Sequence, residues 1–452
     1  MPEVSEQRER EDRLQLFSSA IESGTLASVR QMLNGLHPAE IAHLLESTPP
    51  KERELLWELV DKDIDGDVLL CVNDELRAIL IRQMDAEELV AAAEGLDTDD
   101  LADILNDLPD AVIQEVLQSL DEQHRQRLES VLSYPEDTAG GLMNTDTITV
   151  RPDVTLDVVL RYLRRHGEIP EMTDSLFVVD RNDRYLGTLT LPVLLTRSPA
   201  LTVREVMATT LEPIAATLSA NEVANLFEHR DLVSAPVVDD RNKLLGRITI
   251  DDVVDVIRET TEHNLMGLAG LDSEDDMFAP VVVSARHRGV WLGINLITAF
   301  LASWVIGLFE NTIDKVVALA VLMPIVASMG GIAGSQTLTV VIRGIALGQI
   351  GKTNARTLLA RELIVGMLNG LLWAFVVAVI TAVWFHNYQI GAIIGAAIII
   401  NLLMAALAGA TIPMLLRALG ADPALGGSVL LTTVTDVVGF MAFLGLATLF
   451  LL

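Results

Sequence analysis

The sequence predicts a multidomain chain: an all-α superhelical N domain, an α+β domain built from a tandem repeat, and a five-helix α transmembrane domain. Three observations predict it: acidic residues crowd the first 280 positions, a repeat offset by 59 residues occupies the middle, and five apolar stretches fill positions 281–452. The last of these regions carries eight Lys/Arg and five Asp/Glu, which leaves 24 basic and 57 acidic residues in positions 1–280, a net charge of −33. Such a surface argues against nucleic acid and anionic lipid as partners and favours cations, divalent ones most. Charge alone fits a solvated, solubilising face equally well. The single cysteine, Cys71, excludes an intrachain disulfide framework and suits a reducing compartment. The stretch from Met1 to Asp12 is too charged for a signal peptide, so the soluble part is expected in the cytoplasm.

Residues 1–135 form the acidic N domain. From about residue 14 apolar positions recur at helical spacing, as in Leu101, Ile104, Leu105 and Leu108. Breaks at His37-Pro38, Pro49-Pro50, Asp97-Thr98-Asp99-Asp100 and Leu108-Pro109-Asp110 supply helix starts, because Asp and Thr cap N-termini well. The result is a stack of short helices. Asp99 and Asp103 fall four apart on one face, where like charges repel mildly. An acid-rich first turn that answers the helix dipole explains them without any ligand.

Residues 136–257 hold the repeat, split as 136–200 and 201–257. Phe177-Val178-Val179-Asp180 and Leu186-Gly187 match Pro236-Val237-Val238-Asp239 and Leu245-Gly246 at an offset of 59, whereas Met143/Met207 and Val150/Ile214 match at 64. The first copy therefore carries about five extra residues near Arg164–Met172. Each copy reads strand, helix, strand, turn, strand, helix, a plan that resembles a pair of CBS modules. The nucleotide signature of such modules, Ser/Thr-x-x-Asp, appears in the second copy around Thr249, Ile250, Asp251 and Asp252, with Asp251 placed to grip ribose hydroxyls. The first copy has Thr190-Leu191-Pro192-Val193 and no carboxylate. Residues 252–280 then form an acidic connecting (plug) helix and linker, ending at glycines before Asp272–Asp276.

Residues 281–452 carry spans at about 289–309, 316–342, 363–385, 389–416 and 428–452, each long enough for a hydrocarbon core of about 30 Å. Seven basic residues (Arg286, Arg288, Arg343, Lys352, Arg356, Arg361, Arg417) flank one side and Lys315 alone the other. That asymmetry puts the N-terminal half inside and the C-terminus outside. Glycine pairs at 289/293, 330/334, 366/370 and 391/395 allow close helix approach. Pro324 and the glycines after it are expected to interrupt the second span and free backbone carbonyls. Asn295, Gln336, Asn369 and Asn401 suit interhelical hydrogen bonds. The last span holds one ionisable residue, Asp436, at a cost of roughly 2.5–3.5 kcal/mol on insertion scales, so it is expected to face a partner, a cavity or an ion path. With no second acid, Cys nucleophile or His set beside it in the spans, an intramembrane enzyme is not expected.

With these elements in order, the chain resembles the MgtE family of magnesium channels over nearly its whole length. The matches are Asp99-Asp100-Leu101-Ala102-Asp103, Ala139-Gly140-Gly141-Leu142-Met143, Ile250-Asp251-Asp252-Val253-Val254-Asp255, the Pro324/Gly330/Gly331/Gly334/Gln336 pattern, and Asp422-Pro423-Ala424-Leu425 with Asp436. The resemblance implies a homodimer in the cell (inner) membrane and a pore between its two membrane halves. Asp436 of each copy would face the other, with Ser428, Thr432, Gly331 and Ser335 lining the path. It implies a channel for Mg²⁺ uptake, held shut when cytosolic Mg²⁺ binds Asp67, Asp99, Asp103, Asp231, Asp252, Asp255, Glu262 and Asp422. ATP at the CBS pair is a further implied partner. The alternatives are a broader divalent channel passing Co²⁺, Ni²⁺ or Mn²⁺, and a CBS cation receptor that does not transport. This chain departs from the family at Ile332, Val429, Leu191-Pro192, Ser219, Asn221 and His263, the last where an acid is expected on the connecting helix.

Overall fold

The computed structural model describes residues 26–452 apart from 94–95, 107, 109, 121, 168, 171, 272–277, 279–280 and 352. Residues 1–25 of the expected N domain, Lys352 and the acidic stretch Asp272–Asp276 therefore lie outside the described residues. Among the described residues the chain forms two compact units, the first ending at Arg258 and the second beginning at Glu259.

The first unit opens with short helices: α1 Leu26–Leu33, α2 Pro38–Glu46, α3 Pro50–Trp57, α4 Asp65–Cys71, α5 Asp74–Ile81, α6 Ala86–Ala93, α7 Thr98–Asn106, α8 Asp110–Ser119 and α9 Glu122–Leu132. Four of them begin where the sequence places breaks, at Pro38, Pro50, Thr98 and Asp110. Proline suits a first helical turn because its missing N–H is unsatisfied there anyway. His37 caps α2 in a capping box with Glu40, and the Asn73 side chain accepts from the Leu76 amide at 2.9 Å to start α5.

The repeat folds as two three-stranded sheets. The first has β1 Thr149–Val150, β2 Ser175–Val179 and β3 Tyr185–Thr190, with helices α10 Leu156–His166 and α11 Leu191–Thr196; the second has β4 Ile214–Ala215, β5 Ser234–Val238 and β6 Leu244–Thr249, with helices α12 Val203–Val206 and α13 Ala220–Arg230. In both, the short first strand runs parallel to the second and the third runs antiparallel to it. Val178 pairs with Gly187 and Val237 with Gly246, and a bulge follows each pair. Asp180 and Asp239 shape the two hairpins identically: the former accepts from the Asn182 and Arg184 amides, the latter from those of Arg241 and Lys243.

The repeated glycines have a steric cause. A Cβ on Gly187 would stand 2.4 Å from the Ala208 carbonyl oxygen, and one on Gly246 would stand 2.6 Å from that of Asn144. Those two segments are themselves equivalent, since Ala208 and Asn144 each follow a methionine of the repeat. Gly246→Ala is expected to destabilise the protein by about 1–3 kcal/mol, the usual range for forcing a methyl into packed structure. A lower denaturant midpoint of the purified chain checks it.

The helical stack and the second module share one apolar core. Leu101, Leu105 and Leu128 are continuous in it with Val223, Phe227, Val237 and Val253. The first module keeps a separate core around Leu156, Leu176, Val178 and Leu189. Thr145 donates to Thr98 at 3.0 Å and Arg127 pairs with Asp146, so the start of α7 is held against the segment leading into the repeat.

Helix α14, Ile250–Leu268, closes the second module and runs on without a break into the connecting segment. The second unit then contains α15 Val281–Gly307, a short α16 Glu310–Lys315, α17 Ala318–Ala346, α18 Ala355–Trp384, α19 Tyr388–Ala418 and α20 Pro423–Leu451. The five long helices are apolar and long enough to cross a membrane, and α19 is the most enclosed of them. Three of the four glycine pairs sit at close contacts: a Cβ would meet Asn401 at Gly330, Leu431 at Gly334, Ala406 at Gly366, the Ala378 carbonyl at Gly391 and the Ala374 carbonyl at Gly395. The pair Gly289/Gly293 faces open space within the chain. Pro324 does not interrupt α17, which stays one helix over 29 residues. Carbonyls freed at Gly331 are therefore not what this helix offers; its small and hydroxyl side chains are.

Candidate metal sites

Two features of opposite character emerge, one in each unit. The first is an open groove of about 770 Å³ between α17 and α20. Ser328, Gly331, Ser335, Gln336 and Thr339 line it from α17, and Thr432 and Asp436 from α20. These α17 positions recur at three- and four-residue spacing, so one helix face presents them together. Asp436 is the one ionisable side chain among the lining residues. It is partly exposed, and no ion pair is recorded for it among the described residues. Ser428 is not among the lining residues; it lies one turn before Thr432, and its carbonyl accepts that hydroxyl at 2.9 Å. A groove of hydroxyls, a side-chain amide and one carboxylate suits a cation that keeps much of its water, as Mg²⁺ does.

Behind the groove, the polar residues of the spans divide. Asn401 of α19 is fully buried and its Nδ2 donates to the Val326 carbonyl of α17 at 2.9 Å, an interhelical bond as expected. Asn295 instead bonds its own helix at the Trp291 carbonyl, and Asn369 is exposed. Helix α18 starts eight residues before the span read from the sequence. That extension buries Glu362 in the bundle, where it accepts from Thr337 at 3.3 Å. Sequence reasoning missed Glu362 because it stands beside Arg361 at the edge of the apolar run.

The second feature is an acidic face in the first unit. Asp99, at the start of α7, is only 6% exposed, and its Oδ1 has no hydrogen-bond partner. Burial pushes its carboxyl well above the ordinary carboxylate range, and Asp252 at the start of α14 raises it further, followed by Asp100 and Asp97. Asp252 is raised in turn by burial and by Asp251, against which the Thr249 amide and hydroxyl donate to it. Burial also takes Asp100 up to about 6, with Asp97, Asp251, Asp67 and Asp255 adding to the effect. Desolvation raises Asp255, against the opposing charge of Arg258.

Of the residues expected to sense cations, Asp99 lies within electrostatic reach of Asp252, and Asp67 and Asp255 within reach of the neighbouring Asp100. Asp251, expected at a nucleotide, stands among them and accepts from the Thr249 hydroxyl. Asp97 and Asp100 belong to the group as well; their signal was the same acidic run that a helix start explains. Asp103 lies one turn further along α7. Asp231 sits apart as the left-handed C-cap of the helix Ala220–Arg230. In the second unit, Asp422 caps α20 by accepting from the Ala424 and Leu425 amides. It also meets His263 Nε2 of α14 at 2.9 Å, and Glu262 is exposed beside that histidine.

Among the described residues no three His, Cys, Asp or Glu side chains converge as a closed metal centre. The unpartnered, buried Asp99 oxygen facing a second raised carboxyl nevertheless fits an ion held by one or two carboxylates and water. In divalent-free buffer a pH dependence follows. The folded state binds more protons than the unfolded one between the unfolded value near 3.9 and the raised folded values, so stability falls as pH rises through that window. Stability at pH 5 is expected to exceed that at pH 7.5, and added Mg²⁺ should stabilise more at the higher pH. Thermal melts of the full chain at both pH values check the sign.

Known families and relatives match nearly the whole chain. Residues 36–137 match the MgtE intracellular N domain, residues 139–197 and 203–259 the CBS domain, and residues 323–446 the family described as MgtE, divalent cation transporter. The chain is 31% identical over 442 residues to the magnesium transporter MgtE of Thermus thermophilus, spanning 96% of this chain and 98% of the relative. It is 26% identical to the magnesium transporter MgtE of Bacillus subtilis, spanning 95% and 96%. Among solved structures, the cytosolic domain of the Mg²⁺ channel MgtE in complex with ATP is 31% identical with a TM-score of 0.49, covering 53% of this chain and 98% of that one. The chain belongs to the MgtE family.

Proposed function

We propose that this protein is a Mg²⁺ channel of the cell (inner) membrane whose conduction is limited by cytosolic Mg²⁺. The observation that carries the transport reading is Asp436, alone among ionisable side chains in the groove between α17 and α20. In a homodimer with the grooves apposed, two carboxylates would repel unless a cation stood between them. Hydroxyls of Ser335 and Thr432 would contact the ion's water rather than replace it. The excess of basic residues in the loops on one side of the spans supports an orientation with the acidic first unit inside and the C-terminus outside.

Gating is read from the acidic face. Asp99, Asp252 and their neighbours destabilise one another at neutral pH, and divalent cations would relieve that repulsion. High cytosolic Mg²⁺ would then favour the closed arrangement in which the carboxyls are gathered. ATP at the CBS pair, through Asp251, belongs to the same reading, although that carboxylate is engaged by Thr249 here.

Flux through purified protein in proteoliposomes, as Mg²⁺ on the side of the acidic unit is stepped, tests both parts. Flux that falls with each step supports the proposal. Mg²⁺-independent flux removes the gating part, and no flux under any condition favours a cation receptor. Equal flux of Co²⁺, Ni²⁺ or Mn²⁺ makes the channel a broader one.

A further inference from the structure

Asn401 of α19 is packed against both groove-lining helices. A Cβ on Gly330 of α17 would lie 2.2 Å from its Nδ2, and one on Gly439 of α20 would lie 2.7 Å from the same atom. Both helices therefore present glycine to this one amide, each within a turn of a groove residue: Gly330 beside Gly331, Gly439 three residues after Asp436. The amide is completely buried, and its single recorded hydrogen bond anchors it to the Val326 carbonyl, two residues after Pro324. Its Oδ1 has no hydrogen-bond partner. Burying a primary amide half-satisfied costs on the order of 1–3 kcal/mol, and a leucine of similar volume would avoid that cost. Stability alone does not account for the choice.

We propose that Asn401 is a positioning residue for ion passage, a wedge that fixes the spacing and rotation at which α17 and α20 share one groove. The bond to Val326 sets the rotation of α17, so that Ser328, Gly331 and Ser335 point towards Asp436. The glycine contacts set how near α20 approaches. Loss of the amide lets α17 rotate and the helices shift, which changes the distances an ion and its water meet in the groove. This proposal rests on the Asp436 reading given above.

The test is Mg²⁺ flux against Mg²⁺ concentration for full-length Asn401→Leu and Gly439→Ala in proteoliposomes, with Asp436→Ala in parallel. Asn401→Leu removes the donor at similar volume, and Gly439→Ala presses a methyl onto the same nitrogen, so either variant suffices if the other fails to fold. The half-saturating concentration is expected to rise at least fivefold in each. A purely structural role would lower the amount of folded protein and leave that concentration unchanged, which would overturn the proposal. Recovery of the wild-type half-saturation in Asn401→Ala/Gly439→Ala would also overturn the part assigned to the hydrogen bond, leaving packing alone. Wild-type flux in Asp436→Ala overturns the Asp436 reading itself, a result distinct from any of these.

Discussion

Asp436→Ala is expected to lower Mg²⁺ flux at least about a hundredfold, the effect of losing roughly 2.7 kcal/mol of ion stabilisation. The groove contains no other charge to replace it, since the remaining lining residues are hydroxyl, amide or apolar. Asp436→Asn keeps the volume and removes the charge, so it should fall nearly as far. Asp436→Glu keeps the charge but moves it outward by one methylene, and should retain flux with altered discrimination among divalent ions. Growth rescue of a Mg²⁺-auxotrophic host, with membrane levels measured beside it, checks the series. Full rescue by Asp436→Ala at normal protein level would leave the groove without a role.

Asp99→Asn combined with Asp252→Asn is expected to act on regulation, with two readouts of opposite sign. Both carboxyls are raised by burial, Asp99 further by Asp252 and Asp252 further by Asp251, so at pH 7.5 their charges oppose the packed arrangement. Neutral amides remove that repulsion, and the thermal midpoint in divalent-free buffer should rise by about 4 °C for each kcal/mol recovered in the relevant cooperative unit. At the same time the cation loses its ligands, so the Mg²⁺ concentration that halves flux should rise about tenfold, a loss of about 1.4 kcal/mol in binding. A merely structural acidic surface would show the first effect without the second. Unchanged inhibition would place the sensor elsewhere.

Much of this arrangement was legible in the sequence because its causes are local. Proline and Asp/Thr breaks mark helix starts, and the 59-residue offset passes directly into paired strand registers at Val178/Gly187 and Val237/Gly246. Asp436 was visible as a cost in an apolar run. Pairings across the bundle were not legible. Nothing near Asn401 in sequence announces Gly330 and Gly439, because those contacts arise from the packing of three helices. Pro324 misled in the other direction: a proline costs one hydrogen bond in a span, and α17 continues past it as one helix. Glu362 was hidden because helix ends extend past the hydrophobic core that hydropathy detects. On the acidic face, Asp99 and Asp252 stand 153 positions apart, and only the core shared by α7 and the second module brings them together.

That shared core gives two copies of one repeat different thermodynamic standing. Their central strands, β2 and β5, are equally enclosed along all five residues. Opening β5 breaks a core that extends through the helical stack, so its amides are protected by the larger cooperative block. Opening β2 breaks the smaller cluster around Leu156 and Leu176 and the patch that Phe177 and Tyr185 form with Val238. The duplicated segment has thus become one half anchored in the helical stack and one half with a core of its own, joined to its twin through Phe177, Tyr185 and Val238.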